Sequence, residues 1–292
     1  MPSWQGKSRG TTLGYRIFVG ILTRFGVMPA YWLLRIVTVY YFLFSFRSSK
    51  AIFYYFHTRL KFGRLRSIGL IYKNYYRLGQ TIIDKVVVMA GIKNKFTYDF
   101  DGEENLRRIT ALKKGGLLLS AHLGNWEIAG HLFTRLQTPI NIVMYDGEEQ
   151  RIKQYMDGVT GRRSMKIIVI KEDLSHIYAI SDALKNNEFI CMHADRFVEG
   201  NKTLEADFLG ETARFPAGPF VLAATFKVPL CFVFAFKETA RHYHLYASEV
   251  KEYTGQREEV MQNLLNDFTV AMKEKAKQYP EQWFNYYNFW NT

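Results

Sequence analysis

The chain has 292 residues, of which 48% are hydrophobic. It is therefore long and apolar enough to bury a sizeable core, which excludes intrinsic disorder as its main state. The formal net charge of +12 predicts proximity to phosphates, either of nucleic acid or of anionic lipid, and two cysteines in apolar runs, Cys191 and Cys231, indicate buried free thiols rather than a disulfide framework.

An apolar segment lies near the N-terminus. The first ten residues are polar and charged, so the sequence predicts no cleavable signal there. Residues 25–46 read FGVMPAYWLLRIVTVYYFLFSF, with Arg35 as the single charge, and this length would span a bilayer. Basic residues flank both ends, whereas a spanning helix shows a one-sided bias. The pattern favours a helix in the membrane interface, although a buried core helix is the alternative.

Beyond residue 60, short apolar runs alternate with amphipathic stretches. This alternation predicts an α/β fold, with a central largely parallel or mixed sheet flanked by helices. We expect two parts, an N-terminal membrane-associating helical region over residues 1–60 and an α/β domain over 61–292. The predicted helices are 66–91, 125–136, 148–160, 173–186, 216–227 and 256–278, and the predicted strands are 116–120, 141–145, 166–170, 188–193, 229–236 and 243–250.

One candidate for chemistry follows the first strand of the α/β domain. Functional groups of such sheets gather beyond the carboxyl ends of the strands, and the residues after GLLLS are Ala-His-Leu-Gly-Asn-Trp-Glu. His122 falls in the strand-to-helix turn, and Glu127 falls in the first turn of the following helix. A carboxylate on one imidazole nitrogen fixes the tautomer and leaves the other nitrogen free to accept a proton. The pair is therefore a candidate general base for an alcohol, while a capping glutamate and a structural histidine remain the alternative.

The motif AHLGNWE resembles the H-x4-D/E motif of the lysophospholipid acyltransferase superfamily, and it is most similar to the lipid A late acyltransferase branch. The likeness continues in order through FICMHADRFVEGNKTLEADFLGETARFPAGPFVLA, KVPLCFVFAF and YPEQWFNYYNFW, so it covers roughly residues 60 to 290. Ala194-Asp195-Arg196 departs from the acidic string that the branch often has, and the C-terminal tail is less basic than in its relatives.

The resemblance implies transfer of a fatty acyl group from a thioester, of acyl carrier protein or coenzyme A, to a hydroxyl of a membrane lipid or lipid A-like glycolipid. His122 would be the general base, and Glu127 would orient it. No cofactor and no metal are expected. The setting would be the cytoplasmic face of the bacterial inner membrane, with the protein either peripheral or anchored by a single helix, and with anionic lipid rather than nucleic acid as the partner. Candidate substrate contacts are Asn125, Trp126, Asp195, Arg196, Arg214 and Gly218.

Other functions compete with this one. A lipid esterase or thioesterase would need an activated nucleophile, and no G-x-S-x-G elbow surrounds Ser120. A metalloenzyme could gather His122, Glu127, His193 and Asp195, but no H-E-x-x-H or cysteine pair supports it. A basic membrane- or nucleic-acid-binding module without catalysis would explain the charge, but it would not explain the His122 turn.

Overall fold

The N-terminal part of the chain is helical. The structure is a computed structural model, and it describes residues 12–89, 91–125, 128, 138–145, 165–171 and 173–290. Gly26, with a φ of 81°, separates the first two helices, because a positive φ interrupts the right-handed helical backbone and glycine adopts it readily. The helical segments are α1 (Thr12–Phe25), α2 (Val27–Phe44), α3 (Phe46–Phe53), a π-helical turn (Tyr54–Arg59) and α4 (Arg64–Met89).

Helix α2 has two different faces. Its inner face, with Ala30 and Leu34, packs along α4, and the approach is close because a Cβ on Gly79 would lie 2.3 Å from a Leu34 methyl group. The helix is long and apolar enough to cross a membrane, yet only 22% of it is buried. The predicted apolar segment is therefore a helix with its outer face uncovered. That face carries Met28, Trp32, Ile36, Val39, Tyr40, Leu43 and Phe44, all exposed.

The α/β part is built on a seven-stranded mixed sheet, which confirms the predicted fold class. The strand order is β1-β9-β8-β2-β5-β3-β4. The five strands from β8 to β4 are parallel to one another, while β9 runs antiparallel to β8 and β1 runs parallel to β9. The strands are β1 (Thr97–Asp101), β2 (Gly116–Ser120), β3 (Ile140–Tyr145), β4 (Met165–Ile170), β5 (Phe189–His193), β8 (Leu230–Lys237) and β9 (His242–Ala247).

Helices cover this sheet. Strand β2 is buried along its whole length, as expected of a central strand with both faces covered. The helix Arg257–Gln278 places Leu264, Phe268 and Met272 in the main core, together with Tyr55 and Phe56 from the N-terminal region. The helices are α5 (Glu103–Ala111), α6 (Ser175–Lys185), α7 (Ala217–Phe226) and α8 (Arg257–Gln278), followed by a short 3₁₀ turn (Pro280–Gln282).

Four of the described elements were not predicted from the sequence. Strand β1 and helix α5 precede β2, and a separate antiparallel hairpin of β6 (Thr203–Asp207) and β7 (Thr212–Pro216) precedes α7. Their strands read TYDFD, TLEAD and TARFP. Such short strands, with charged side chains alternating on their exposed face, give a weak periodic signal. The predicted helices 125–136 and 148–160 lie almost wholly outside the described residues.

A buried polar network ties α2 and α4 to the sheet. Asp84 on α4 accepts hydrogen bonds from the hydroxyls of Tyr31 on α2 and Tyr243 on β9. The Lys237 ammonium lies 2.5 Å from the same carboxylate, and the two side chains are 1% and 0% exposed. Because three donors surround one buried carboxylate, the network satisfies groups that would otherwise be costly to bury.

Candidate active site

The candidate site lies where two neighbouring parallel strands end. Strands β2 and β5 pair in register, with Ser120 opposite His193. The Ala194 amide donates to the Ser120 carbonyl at 2.8 Å, so the pairing continues one residue past the end of β5. Two residues beyond each strand come His122 and Asp195. They meet at the carboxyl edge of the sheet, the position that open α/β sheets use for ligands.

Asp195 holds His122 through two hydrogen bonds. The His122 ring nitrogen Nδ1 lies 2.8 Å from Asp195 Oδ1, and the His122 backbone amide donates to Oδ2 at 3.0 Å. Burial opposes ionisation of this carboxyl, but the neighbouring imidazole of His122 and the charge of Arg196 outweigh burial and hold the pKa of Asp195 below its ordinary range. An ionised carboxylate can only accept, so the proton of a neutral His122 is on Nδ1 and its Nε2 is the basic nitrogen.

The turn after His122 is fixed by main-chain contacts on both sides. Gly124 has a φ of 81°, and its amide donates to the Gln282 carbonyl at 2.8 Å. The Phe284 amide donates to the His122 carbonyl at 3.0 Å, and the Asn125 amide donates to the Ala235 carbonyl at 2.6 Å. Strand β8 and the C-terminal segment therefore clamp the turn, which keeps the His122 ring in one place.

Gly124→Ala is expected to destabilise the protein by roughly 1–3 kcal/mol, the range for a strained backbone conformation. A Cβ there would lie 2.1 Å from the Ala235 carbonyl oxygen, so the turn must shift and carry His122 with it. Urea unfolding would measure the loss of stability, and the catalytic rate of the folded fraction would measure the displacement of His122. Gly69→Ala is the control, since a Cβ on this α4 residue meets nothing within 4 Å and alanine favours a helix. Equal stability of the two variants would contradict the prediction.

Arg196 connects the site to the C-terminal segment. Its guanidinium donates to the Phe284 carbonyl, and its charge opposes the burial that raises the pKa of Tyr287. The segment that carries Phe284 and Tyr287 also packs Trp283 and Trp290 into the main core. Arg196 thus holds this C-terminal segment against the His122 turn. The substrate contact predicted for Arg196 stays a prediction.

His193 was considered in the sequence only as a metal ligand, yet the structure places it against the basic nitrogen. Its Nδ1 lies 3.2 Å from His122 Nε2, and the ring centroids are 4.1 Å apart. With Asp195, the two histidines form a group whose ligand atoms lie within 4.8 Å of one another. Two imidazoles and a carboxylate suit zinc, although here Asp195 and His193 contact different nitrogens of His122. The expectation of no metal stays a prediction.

The other predicted site residues are less central. Asn125 is buried, and its side-chain amide donates to the Tyr243 hydroxyl at 3.3 Å and to the Thr81 carbonyl at 3.4 Å. Arg214 lies on the β7 hairpin strand and faces Glu205 at 3.3 Å, and Gly218 lies exposed in the first turn of α7. Trp126 and Glu127 lie outside the described residues, so the role assigned to Glu127 also stays a prediction.

The described residues offer no activated nucleophile next to His122. Burial raises the pKa of both Cys191 and Cys231 to about 12, so both remain neutral thiols at ordinary pH. The Ser120 hydroxyl is buried and makes no hydrogen bond to a described residue. This arrangement fits a base that acts on an incoming hydroxyl better than it fits a covalent intermediate.

The chain resembles known proteins in three ways. The family described as bacterial lipid A biosynthesis acyltransferase matches residues 68–292. Phosphatidylinositol mannoside acyltransferases of two Mycobacterium tuberculosis strains, H37Rv and CDC 1551, are 28% and 27% identical over 128 residues, 42% of this chain. The match spans only 39% of the length of these relatives. The crystal structure of the 1-acyl-sn-glycerophosphate acyltransferase from Thermotoga maritima aligns with a TM-score of 0.37 at 12% identity, over 83% of this chain and 98% of that one.

Proposed function

Since the chain belongs to the bacterial lipid A biosynthesis acyltransferase family, we propose that it moves a fatty acyl group from an acyl thioester to a hydroxyl of a membrane lipid or lipid A-like glycolipid. The donor is a thioester of acyl carrier protein or coenzyme A. The observation that carries the proposal is the 2.8 Å contact of His122 Nδ1 with Asp195 at the carboxyl edge of the sheet, because it leaves a basic nitrogen facing the site.

The reaction follows from this geometry. His122 Nε2 takes the proton of the acceptor hydroxyl as its oxygen forms a bond to the thioester carbonyl carbon. The tetrahedral intermediate then expels the thiolate, and the thiolate takes from His122 the proton that came from the acceptor hydroxyl. Asp195 compensates the imidazolium that exists between these steps. Glu127, the acidic residue of the motif, is proposed to share this role or to contact the substrate.

We propose that the protein is peripheral, on the cytoplasmic face of the inner membrane. The inner face of α2 is packed on α4 and is tied to it by the hydrogen bond from Tyr31 to Asp84, so a spanning helix would first have to separate from the domain. Lying in the interface, α2 would bury its apolar outer face while basic residues meet anionic lipid. Exposed basic residues near α2 are Arg24, Arg47, Lys50, Lys61, Arg64 and Arg66.

Replacing Trp32, Ile36 and Leu43 together with glutamine is expected to weaken binding to anionic vesicles by about 10³-fold or more. Burying each large apolar side chain contributes roughly 1.5–3 kcal/mol, and about 1.4 kcal/mol is a factor of ten in affinity. The three side chains are 65%, 71% and 50% exposed, so the fold should tolerate the change. Vesicle co-sedimentation measures the effect.

The matched control replaces three exposed apolar residues far from α2 in sequence with glutamine. One lies in the loop before α6, one in α6 and one in α8. Its binding to vesicles should equal that of the unchanged chain. An equal loss in both triple variants would mean that α2 is not the membrane contact. The control residues are Leu174, Tyr178 and Val270, which are 60%, 76% and 56% exposed.

The proposed function is tested by incubating the full chain with labelled acyl-coenzyme A or labelled acyl carrier protein. Vesicles made from the total lipid extract of the producing cells supply the acceptor. The label should move to a lipid in an ester bond, and comparing lipids of cells with and without the gene by mass spectrometry should identify the same product. Prolonged chelation should leave the rate unchanged. Release of free fatty acid alone would instead indicate a thioesterase.

A further inference from the structure

We propose that His193 binds the acceptor hydroxyl together with His122, accepting no proton itself. This inference rests on the proposed function, and it assigns to this chain a second imidazole at the reacting oxygen. His193 ends β5 and Ser120 ends the neighbouring β2 in register, so the sheet fixes the backbone of His193 close to the His122 turn. Its Nδ1 is 3.2 Å from the Nε2 of His122, the nitrogen that has to receive the hydroxyl proton.

When His122 is neutral and ready to accept a proton, the hydrogen bond between the His122 and His193 rings can have only one direction. The Asp195 carboxylate accepts from Nδ1–H of His122, so a neutral His122 has no proton on Nε2. The contact of 3.2 Å therefore needs the proton on Nδ1 of His193, which donates to His122. The site thus presents one N–H donor and one bare nitrogen side by side.

A hydroxyl is the group that matches this pair. It donates one hydrogen bond and accepts others, so an acceptor oxygen that enters between the rings donates to His122 Nε2 and accepts from His193 Nδ1–H. Each new bond needs about 2.8 Å, so the His193 ring turns away from His122 as the oxygen enters, while Asp195 and the backbone contacts keep the His122 ring in place. A lone pair of the oxygen remains free to attack the thioester carbonyl.

His193 then keeps its proton through the reaction. The hydroxyl proton moves to His122, the oxygen–carbon bond forms, the carbon–sulfur bond breaks and the thiolate takes the proton from His122. Burial, followed by the neighbouring His122, holds the pKa of His193 well below its ordinary value. A neutral His193 does not compete with His122 for the hydroxyl proton. Its Nδ1–H group therefore remains a hydrogen-bond donor to the reacting oxygen when His122 becomes cationic.

The test compares three replacements of His193 in the full chain. Asparagine places an amide N–H close to the position of imidazole Nδ1, glutamine places it near Nε2, and leucine has no donor. His193→Leu should lower kcat/KM for the acceptor roughly tenfold, the effect of one hydrogen bond, with an unchanged KM for acyl-coenzyme A. His193→Asn should recover most of that loss and His193→Gln should not. The acceptor is supplied as vesicles of the cells' total lipid extract.

His176→Leu is the matched control, because this histidine lies on α6 and contacts the Lys171 amide, and it should behave as wild type. If His193→Leu does not fold, the comparison of asparagine with glutamine still decides. Equal impairment of these two variants would overturn the inference, as would a loss in His193→Asn as large as in His122→Ala, since His193 would then move the proton. An unchanged acceptor KM with a raised donor KM would place His193 at the donor. A wild-type chain that transfers no acyl group would instead remove the proposed function, and this inference with it.

Discussion

His122→Ala is expected to lower the acyl transfer rate by roughly 10²–10⁴-fold, the usual contribution of a general base. The loss should appear in kcat, because the proton is transferred only as the transition state is approached. The side chain of His122 is 24% exposed, but it contacts the buried Asp195 carboxylate, so the loss of stability has to be measured separately from the loss of kcat. Steady-state kinetics and thermal unfolding on the same preparation measure both quantities.

Variants of Asp195 and Glu127 show which of the two carboxylates orients the His122 imidazole and compensates its charge. Asp195→Asn keeps the shape but removes the charge and can present an N–H to His122 Nδ1, which favours the wrong tautomer. It should therefore lose more kcat than Glu127→Gln, and adding His122→Ala to it should cost little more, because residues that act as a unit are not additive. A larger loss in Glu127→Gln would return the orienting role to the motif residue. Normal turnover in His122→Ala would refute the mechanism.

Lys237→Met is expected to lower the free energy of unfolding by about 3–5 kcal/mol, the cost of leaving one partner of a buried ion pair alone. Asp84 is fully buried and would keep two phenol donors but lose its only cation among the described contacts. The double variant Asp84→Leu with Lys237→Met should recover much of the loss, since an apolar pair carries no unpaired charge. Urea unfolding of the three proteins measures these differences.

The control for this pair is an exposed ion pair. Glu103 and Arg107 are one helical turn apart on α5, with side chains 21% and 58% exposed. Glu103→Gln should change the free energy of unfolding by less than about 1 kcal/mol, because solvent screens such pairs. If Lys237→Met were as mild as Glu103→Gln, the buried network would not be what joins the N-terminal helices to the sheet.

The position of His122 could be predicted because it depends on local signals. A short, continuously apolar run followed by a turn indicates a buried strand, and the family resemblance of AHLGNWE is confirmed by the match over residues 68–292. The role of Asp195 could not be predicted in this way. It depends on β5 lying next to β2 in register, and sheet order is a long-range property that no local periodicity encodes.

The same limit explains the other omissions. His193 contacts His122 because of that strand pairing, although the two are 71 positions apart. The clamp on Gly124 comes from Gln282, near the other end of the chain. The division of the chain at residue 60 stays a prediction. In the structure, Tyr55 and Phe56 contribute to the main core, so a deletion of residues 1–60 would remove core side chains as well as the proposed membrane contact.

The network around Asp84 has a consequence for how the rate should be expressed. The hydroxyls of Tyr31 of α2 and of Tyr243 both donate to Asp84. The Tyr243 hydroxyl also accepts a hydrogen bond from the side-chain amide of Asn125, which lies three residues after His122. On the proposed docking of α2, this chain of hydrogen bonds joins the lipid-facing helix to the turn that carries His122, and we expect an acceptor lipid to react while its chains stay in the bilayer. The rate should then depend on the number of acceptor lipids per area of membrane rather than on their concentration in the bulk solution. Diluting the acceptor with inert lipid at constant total lipid would slow turnover, whereas diluting the vesicles in buffer would change only how much enzyme is bound.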